Sequence, residues 1–127
     1  MTTEKKIYDL HHEHQEWLSK LSFYKDDLAV MQMRVEEVAS KNTSKEYLAL
    51  VDHYSNQFLI QNGQISQLKH EIKNHEAIIE SSVISNATAA DHRSMPDHVE
   101  QREKMERFEV IFAELREDFN TFLAKVL

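Results

Sequence analysis

Apolar residues recur along most of the chain at alternating spacings of three and four, the heptad repeat of helices that pack side by side. The first series covers the N-terminal third of the chain, and His14 is its single interruption. Its members are Ile7, Leu10, His14, Trp17, Leu21, Tyr24, Leu28, Met31, Val35 and Val38. This pattern predicts a first helix over about residues 4–41.

Two more series follow, and each predicts another helix. KNTSKE (41–46) ends the first series, and SNATAADHRSMPDH (85–98) separates the second from the third. Because proline suits the first turn of a helix, Pro96 places the start of the third helix near residue 97 and leaves residues 86–96 as a loop. The predicted second and third helices therefore cover about residues 44–85 and 97–126. The second series is Tyr47, Val51, Tyr54, Phe58, Gln61, Ile65, Leu68, Ile72, His75 and Ile79, and the third is His98, Gln101, Met105, Phe108, Phe112, Leu115, Phe119, Phe122 and Val126.

These helices predict an all-α fold, an elongated antiparallel three-helix bundle with coiled-coil-like heptad packing. The link between the first two helices is short, so they must run antiparallel as neighbours. A chain of 127 residues with one glycine and one proline has few turns and forms a single domain over 1–127. The alternative is a longer coiled coil that forms only when the chain oligomerises.

Composition narrows the classes of function. The chain has no cysteine, which excludes disulfides and thiolate chemistry. Its net charge of −7 argues against a nucleic-acid partner, since phosphate binding requires clustered lysine and arginine. No apolar run approaches the roughly 20 residues that span a bilayer. We therefore expect a soluble, cytoplasmic protein with neither a membrane nor a nucleic-acid partner.

Several of the eight histidines fall near one level of the predicted bundle. The register of the first hairpin places His11 level with His75, and His14 one turn away. A simple hairpin between the second and third helices would bring Glu106 or Glu109 to the same level. A set of two or three imidazoles and one carboxylate can bind zinc or iron. This arrangement predicts a metal site formed by His11, His14, His75 and either Glu106 or Glu109.

Two alternatives require no metal cofactor. In the first, the polar residues at heptad core positions pair with one another and fix the register of the helices at some cost in stability. In the second, the buried histidines gain charge as the pH falls and open that end of the bundle. The polar core residues are His14, Gln61, His75 and His98.

Known helical metal proteins and enzymes offer only partial matches. HHEHQEW (11–17) resembles the hemerythrin-like family in one feature, the His12 to Glu16 spacing. The family pattern also requires H-x3-H and H-x4-D on successive helices, whereas His70 and His75 are five residues apart and do not share one face. The predicted fold also lacks the fourth helix of that family. We therefore reject hemerythrin. With no E-x-x-H pair, no HExxH, no glycine-rich loop and no nucleophile elbow, we expect a non-enzymatic protein.

A broader resemblance covers most of the chain. FYKDDL (23–28), NQF (56–58), LKHEIKNHE (68–76) and DHRSMPDH (91–98) look like segments of short bacterial helical-bundle proteins whose function is unknown. The resemblance implies a helical-bundle fold and nothing further about activity.

The outward face of the first two helices is unusually apolar, and the run SNQFLIQNGQISQ (55–67) has no charged residue. Low charge is typical of interface cores. Gly63 lies inside a predicted helix, where it costs about 1 kcal/mol relative to alanine and can admit a second helix. These features predict a homodimer through helices 1 and 2. The predicted interface residues are Phe23, Val30, Met33, Asn56, Leu59, Ile60 and Gly63.

From the sequence we favour an interaction or structural protein that self-associates and accepts a further protein partner. The metal-binding protein is the first alternative, and the pH-sensitive bundle is the second.

Overall fold

The computed structural model describes the backbone of residues 2–42, 44–85 and 87–127, and the side chains of 8–42, 44–81 and 96–127. Within these ranges the chain forms three α-helices and no strand. They are α1 (Thr2–Lys41), α2 (Lys45–Ser85) and α3 (Ala87–Val126). Each helix packs against the other two. The predicted all-α, antiparallel three-helix bundle is confirmed.

Hydrogen bonds mark the end of α1 and the start of α2. The backbone N–H and the side-chain amide of Asn42 donate to the Val38 carbonyl at 3.1 and 3.0 Å. The backbone carbonyl of Ser44 accepts a bond from the N–H of Leu48 at 3.0 Å, the first hydrogen bond of α2. Glu46, in the first turn of α2, stabilises the positive end of the helix dipole.

The core follows the heptad positions. One apolar stripe from each helix is turned inward, and alternating three- and four-residue steps keep that stripe on one face. The main core cluster contains Trp17, Leu21, Leu28, Met31, Val35, Val38, Val51, Tyr54, Phe58, Ile65, Leu68, Ile72, Met105, Phe108, Phe112, Phe119 and Phe122.

Among the described residues, no helix has both the length and the apolar character required to cross a membrane.

Aromatic rings fill the end of the bundle nearest the α1–α2 turn. Tyr54, Phe58, Phe119 and Phe122 form ring contacts with centroid separations of 5.0–6.3 Å. Such pairs are worth about 0.5–1.5 kcal/mol each beyond the area that they bury. The buried histidines His14, His75 and His98 lie toward the opposite end, near the α2–α3 turn, so the two ends of the core differ in chemistry.

Residues 87–96, which were expected to form part of a loop over 86–96, are helical, and this expectation is wrong for those residues. α3 begins at Ala87 and runs through Pro96. Ala87, Ala89 and Ala90 are strong helix formers and carry the helix upstream of the proline. A proline at this position leaves the carbonyl four residues earlier without its usual donor, at a cost of about 3 kcal/mol, but it does not end the helix here.

The early start of α3 sets its register against α2. Only residue 86 separates the two helices, so α3 turns back at once. Lys104 therefore reaches Glu71 at 3.4 Å, and Tyr54 donates to Asp118 at 3.0 Å. His98, and not the segment 107–110, reaches the level of His14.

Candidate metal centre

Three histidines, one from each helix, meet inside the bundle. His14, His75 and His98 are all buried, with exposed fractions of 0, 8 and 0%. Their ring centroids are 5.1 Å apart for His14 and His75, 5.0 Å for His14 and His98, and 5.8 Å for His75 and His98. One ring nitrogen from each residue lies within 4.8 Å of the other two.

Apolar residues surround this layer along the bundle axis. On α1, His14 lies between Leu10 and Trp17, and on α2, His75 lies between Ile72 and Ile79, all of them buried. The Trp17 indole stacks on the His98 ring at 4.9 Å with an interplanar angle of 23°. Three imidazoles therefore occupy one layer of an otherwise hydrocarbon environment.

Glu76 holds one side of the layer. Its carboxylate accepts from Nδ1 of His14 and from Nδ1 of His11, both at 2.7 Å. Burial raises the pKa of Glu76, but the bonds from His14 and His11 outweigh it, and the net pKa lies below the usual value. The carboxylate is therefore ionised at neutral pH and can only accept hydrogen bonds.

Glu13 holds the opposite side. Its carboxylate accepts from Nε2 of His98 at 2.6 Å, and from Nε and Nη2 of Arg102 at 2.9 and 2.7 Å. The bonds from Arg102 and then from His98, opposed by burial, lower the pKa of Glu13 to about 2. Glu13 is thus ionised and fixed in orientation by a two-pronged guanidinium.

These two carboxylates determine which ring nitrogens carry protons. An ionised acceptor requires a donor, so His14 is protonated at Nδ1 and His98 at Nε2. Burial lowers the pKa of His75 and of His98, which keeps both rings neutral. In a neutral imidazole the second nitrogen has a free lone pair. For His98 the free position is then Nδ1, and in the neutral form of His14 it is Nε2.

Those free nitrogens have no hydrogen-bond partner among the described residues. The buried, unpartnered atoms of the layer are Nε2 of His14, Nδ1 of His98 and both ring nitrogens of His75. Each buried polar atom left without a partner costs about 1–3 kcal/mol. Carboxylate-bound histidines with free second nitrogens are the arrangement that metal sites use to orient their ligands.

The structure brings two of the predicted ligand residues together and places the others elsewhere. It brings His14 and His75 together as expected, but the third nitrogen comes from His98. His11 is half-exposed and binds Glu76 at the edge of the layer. Glu109 accepts from the Tyr24 hydroxyl at 3.0 Å and lies 3.7 Å from the Lys20 ammonium. Glu106 is exposed and lies outside the histidine cluster. The expectation that Glu106 or Glu109 is a carboxylate ligand is therefore wrong, because the early start of α3 moves both residues along the bundle.

The reasoning from sequence also missed Glu13, Glu76 and Arg102. A clue was present, since Glu13 and Glu76 each adjoin a core histidine, in HHEH and NHE. An adjacent residue on a helix points about 100° away, toward a neighbouring helix, and its partner depends on the packing.

The remaining predicted residues lie as follows. Gln61 is buried, and its Oε1 has no partner among the described residues. Ile60 lines a groove between α2 and α3 together with Ile111, so it lies apart from the outward α1–α2 face. A Cβ added to Gly63 would meet no atom within 4 Å. The exposed residues of the predicted interface are Phe23, Val30, Met33, Asn56, Leu59, Ile60 and Gly63.

Comparison with protein-family models, curated proteins and solved structures found no match. The resemblance to short bacterial helical-bundle proteins therefore stays a prediction, and the function is argued from the geometry alone.

Proposed function

We propose that this protein binds a divalent transition metal, zinc in the first place, through His14, His75 and His98. The observation that carries the proposal is the meeting of three buried imidazoles, each of which has at least one ring nitrogen without a hydrogen-bond partner among the described residues. A bound metal ion would accept all three lone pairs. It would tie α1, α2 and α3 together at one level.

The ligand set favours zinc over iron. Zinc is held well by neutral imidazoles at about 2.0–2.1 Å, whereas non-haem iron sites commonly pair two histidines with a carboxylate. Glu76 supplies one negative charge beside the site, and Glu13 supplies a second that it shares with Arg102, without either being a ligand. These charges would offset the charge of a divalent ion in a low-dielectric core.

Binding requires a small contraction of the layer. Three nitrogens bound to one tetrahedral zinc lie roughly 3.4 Å apart, given the usual bond length. The cluster nitrogens lie within 4.8 Å of one another, so modest rotations of the rings would close it. The carboxylates bonded to His14 and His98 would guide those rotations, as partners of ligating histidines do elsewhere.

The test is zinc stoichiometry of the untagged protein after equilibrium dialysis. We expect about one zinc per chain and a higher melting temperature with zinc, because a ligand that binds only the folded chain stabilises it. His75→Leu should lose the zinc and still fold, since an apolar side chain replaces an unpartnered polar one. His70→Ala, which alters an exposed histidine on α2, is the matched control. Equal zinc content in the wild-type chain and His75→Leu would overturn the proposal.

A second candidate function is self-association through the outer surface of α1 and α2. It is supported by the exposure of large apolar side chains there, of which Met33 and Leu59 are 66 and 70% exposed. Leu59→Glu should then reduce the mass measured by light scattering to that of one chain. Val110→Glu, at an exposed apolar position on α3, should leave the mass unchanged. A wild-type mass of one chain at tens of micromolar would exclude the dimer.

A further inference from the structure

A groove between α2 and α3 opens beside the histidine layer. It has a volume of about 220 Å³, and His75 and Gln101 form part of its lining. Both side chains are more than nine-tenths buried. No hydrogen-bond partner among the described residues is found for the two ring nitrogens of His75 or for the amide nitrogen of Gln101. The groove therefore adjoins two residues whose buried polar atoms have no partner among the described residues.

The other two seams of the bundle are closed at this level. Glu76 bridges to His14 and His11 across the seam between α1 and α2. Glu13, held by Arg102, bridges to His98 across the seam between α1 and α3. Both carboxylates are thereby committed to the outer nitrogens of the ligands. The α2–α3 groove, by contrast, has His75 in its lining and offers a side approach to the layer.

Gln101 is placed to hold a molecule in this groove. It follows His98 by three residues on α3, so the two side chains are neighbours on one helix face. An amide group offers both a donor and an acceptor. A buried amide nitrogen without a partner is costly unless a ligand or water meets it.

The charges at the rim favour a neutral molecule. Glu71, Asp97 and Glu100 line the groove with a single cation, Lys104. That ammonium lies 3.4 Å from Glu71 and 3.9 Å from Glu100, so it is already shared between two carboxylates. Like charge near a site repels an approaching anion and leaves a neutral ligand unaffected.

Building on the proposed function, we infer that the metal held by His14, His75 and His98 keeps a fourth position open to a small neutral ligand. This ligand enters through the α2–α3 groove and is held by the amide of Gln101. Three protein ligands with a fourth position left to an exogenous molecule distinguish reactive zinc sites from closed structural ones. The centre is then a binding site for small nitrogen or oxygen donors as well as a link between helices.

The experiment uses the protein loaded with cobalt(II), whose visible spectrum reports its coordination. Titration with cobalt first measures the number of ions per chain. Failure at this step counts against the proposed function itself. Imidazole is then added as the neutral probe and azide as the anionic one, and dialysis checks that cobalt stays bound. We expect a saturable spectral change with imidazole, with azide requiring about tenfold higher concentrations because of the acidic rim.

Gln101→Leu separates the ligand site from the metal site. It removes the amide and keeps a similar volume, so we expect cobalt affinity to stay the same and imidazole affinity to fall about five- to tenfold, the effect of one hydrogen bond. Gln64→Leu, on the neighbouring groove of α2 and α3, is the matched control and should change neither. Cobalt binding with a spectrum that imidazole leaves unchanged would show a closed site and overturn the inference. Azide binding as tight as imidazole would overturn the assignment of a neutral ligand.

Discussion

At the scale of single residues, the protein places imidazole groups in its core, where burial is unfavourable, and binds them by hydrogen bonds from a neighbouring helix. Three buried imidazoles destabilise a hydrophobic layer unless each finds a partner. Glu13 and Glu76 each provide one partner for a ring and hold that ring in place. His75 receives no such partner among the described residues, which makes it the ring most dependent on a bound ion.

Glu13→Gln should weaken zinc binding by about 10–100-fold, the usual effect of removing a carboxylate behind a ligating histidine. The amide keeps the size of the side chain but gives up the charge that holds the His98 proton and offsets the metal. Competition with a zinc-binding dye measures the affinity. Glu16→Gln, three residues along α1 and paired among the described residues with the exposed His12, is the control. Identical affinities in both variants would show that Glu13 does not support the site.

Tyr54 gives a prediction for alkaline pH. It is buried, and its hydroxyl donates to Asp118 at 3.0 Å. Burial first, and then Asp118, raises the pKa of Tyr54 to about 12, whereas the unfolded chain has the ordinary value of 10.0. The resulting stability is fully present below pH 10 and is lost as the pH rises from 10 to 12.

Tyr54→Phe should therefore lose about 1–2 kcal/mol of unfolding free energy at pH 7, because a hydrogen bond to a carboxylate is removed. It should also lose less stability than the wild-type chain between pH 10 and 12. Urea unfolding at several pH values measures both effects. Tyr8→Phe changes an exposed tyrosine and should follow the wild-type curve. Parallel pH profiles for Tyr54→Phe and the wild-type chain would contradict the prediction.

At the scale of the helices, the sequence predicted α1 and α2 to within two residues at each end, but it placed the start of α3 too late. The heptad pattern is a property of each segment and shows where a stripe must be buried. The start of α3 has no such stripe, and Pro96 alone indicated a boundary there. The high helix propensity of the alanines before the proline outweighed this boundary signal, and α3 begins at Ala87.

Pro96→Ala tests this part of the fold directly. With α3 running from Ala87 through Pro96, alanine restores the missing N–H and removes a steric clash, and we expect a gain of up to about 3 kcal/mol. A proline at the first position of a helix would instead be favourable, and its loss would give no gain. Urea unfolding of the two proteins decides between these outcomes. Unchanged or reduced stability would place the start of α3 near residue 97 after all.

At the scale of the whole molecule, the bundle has two chemically different ends and an outer surface with exposed apolar groups. The aromatic end is stabilised by ring packing, whereas the histidine end depends on polar partners and, in our proposal, on a metal ion. Zinc removal should therefore loosen the α2–α3 end first, and hydrogen exchange can locate the change.

Gly63→Ala tests the outer surface. Because an added Cβ meets no atom of the same chain within 4 Å, we expect the single chain to gain about 1 kcal/mol from the higher helix propensity of alanine. If two chains pack closely at this glycine, the same methyl group should weaken their association. Urea unfolding at low concentration measures the first effect, and light scattering at high concentration measures the second. An unchanged mass would remove Gly63 from the interface.

The sequence by itself determined the helical class, the inward stripe of each helix and the presence of His14, His75 and His98 at core positions, because period and burial are linked within each segment. Only the tertiary structure decided that these three rings meet and that Glu13 and Glu76 support them. The meeting with His98 and the bond from His98 to Glu13 depend on how far α3 is shifted along α2, and this shift follows from the single residue between Ser85 and Ala87. The bond between His14 and Glu76 depends instead on the packing of α1 against α2. A heptad pattern looks the same after a shift by whole repeats, so it cannot choose among them.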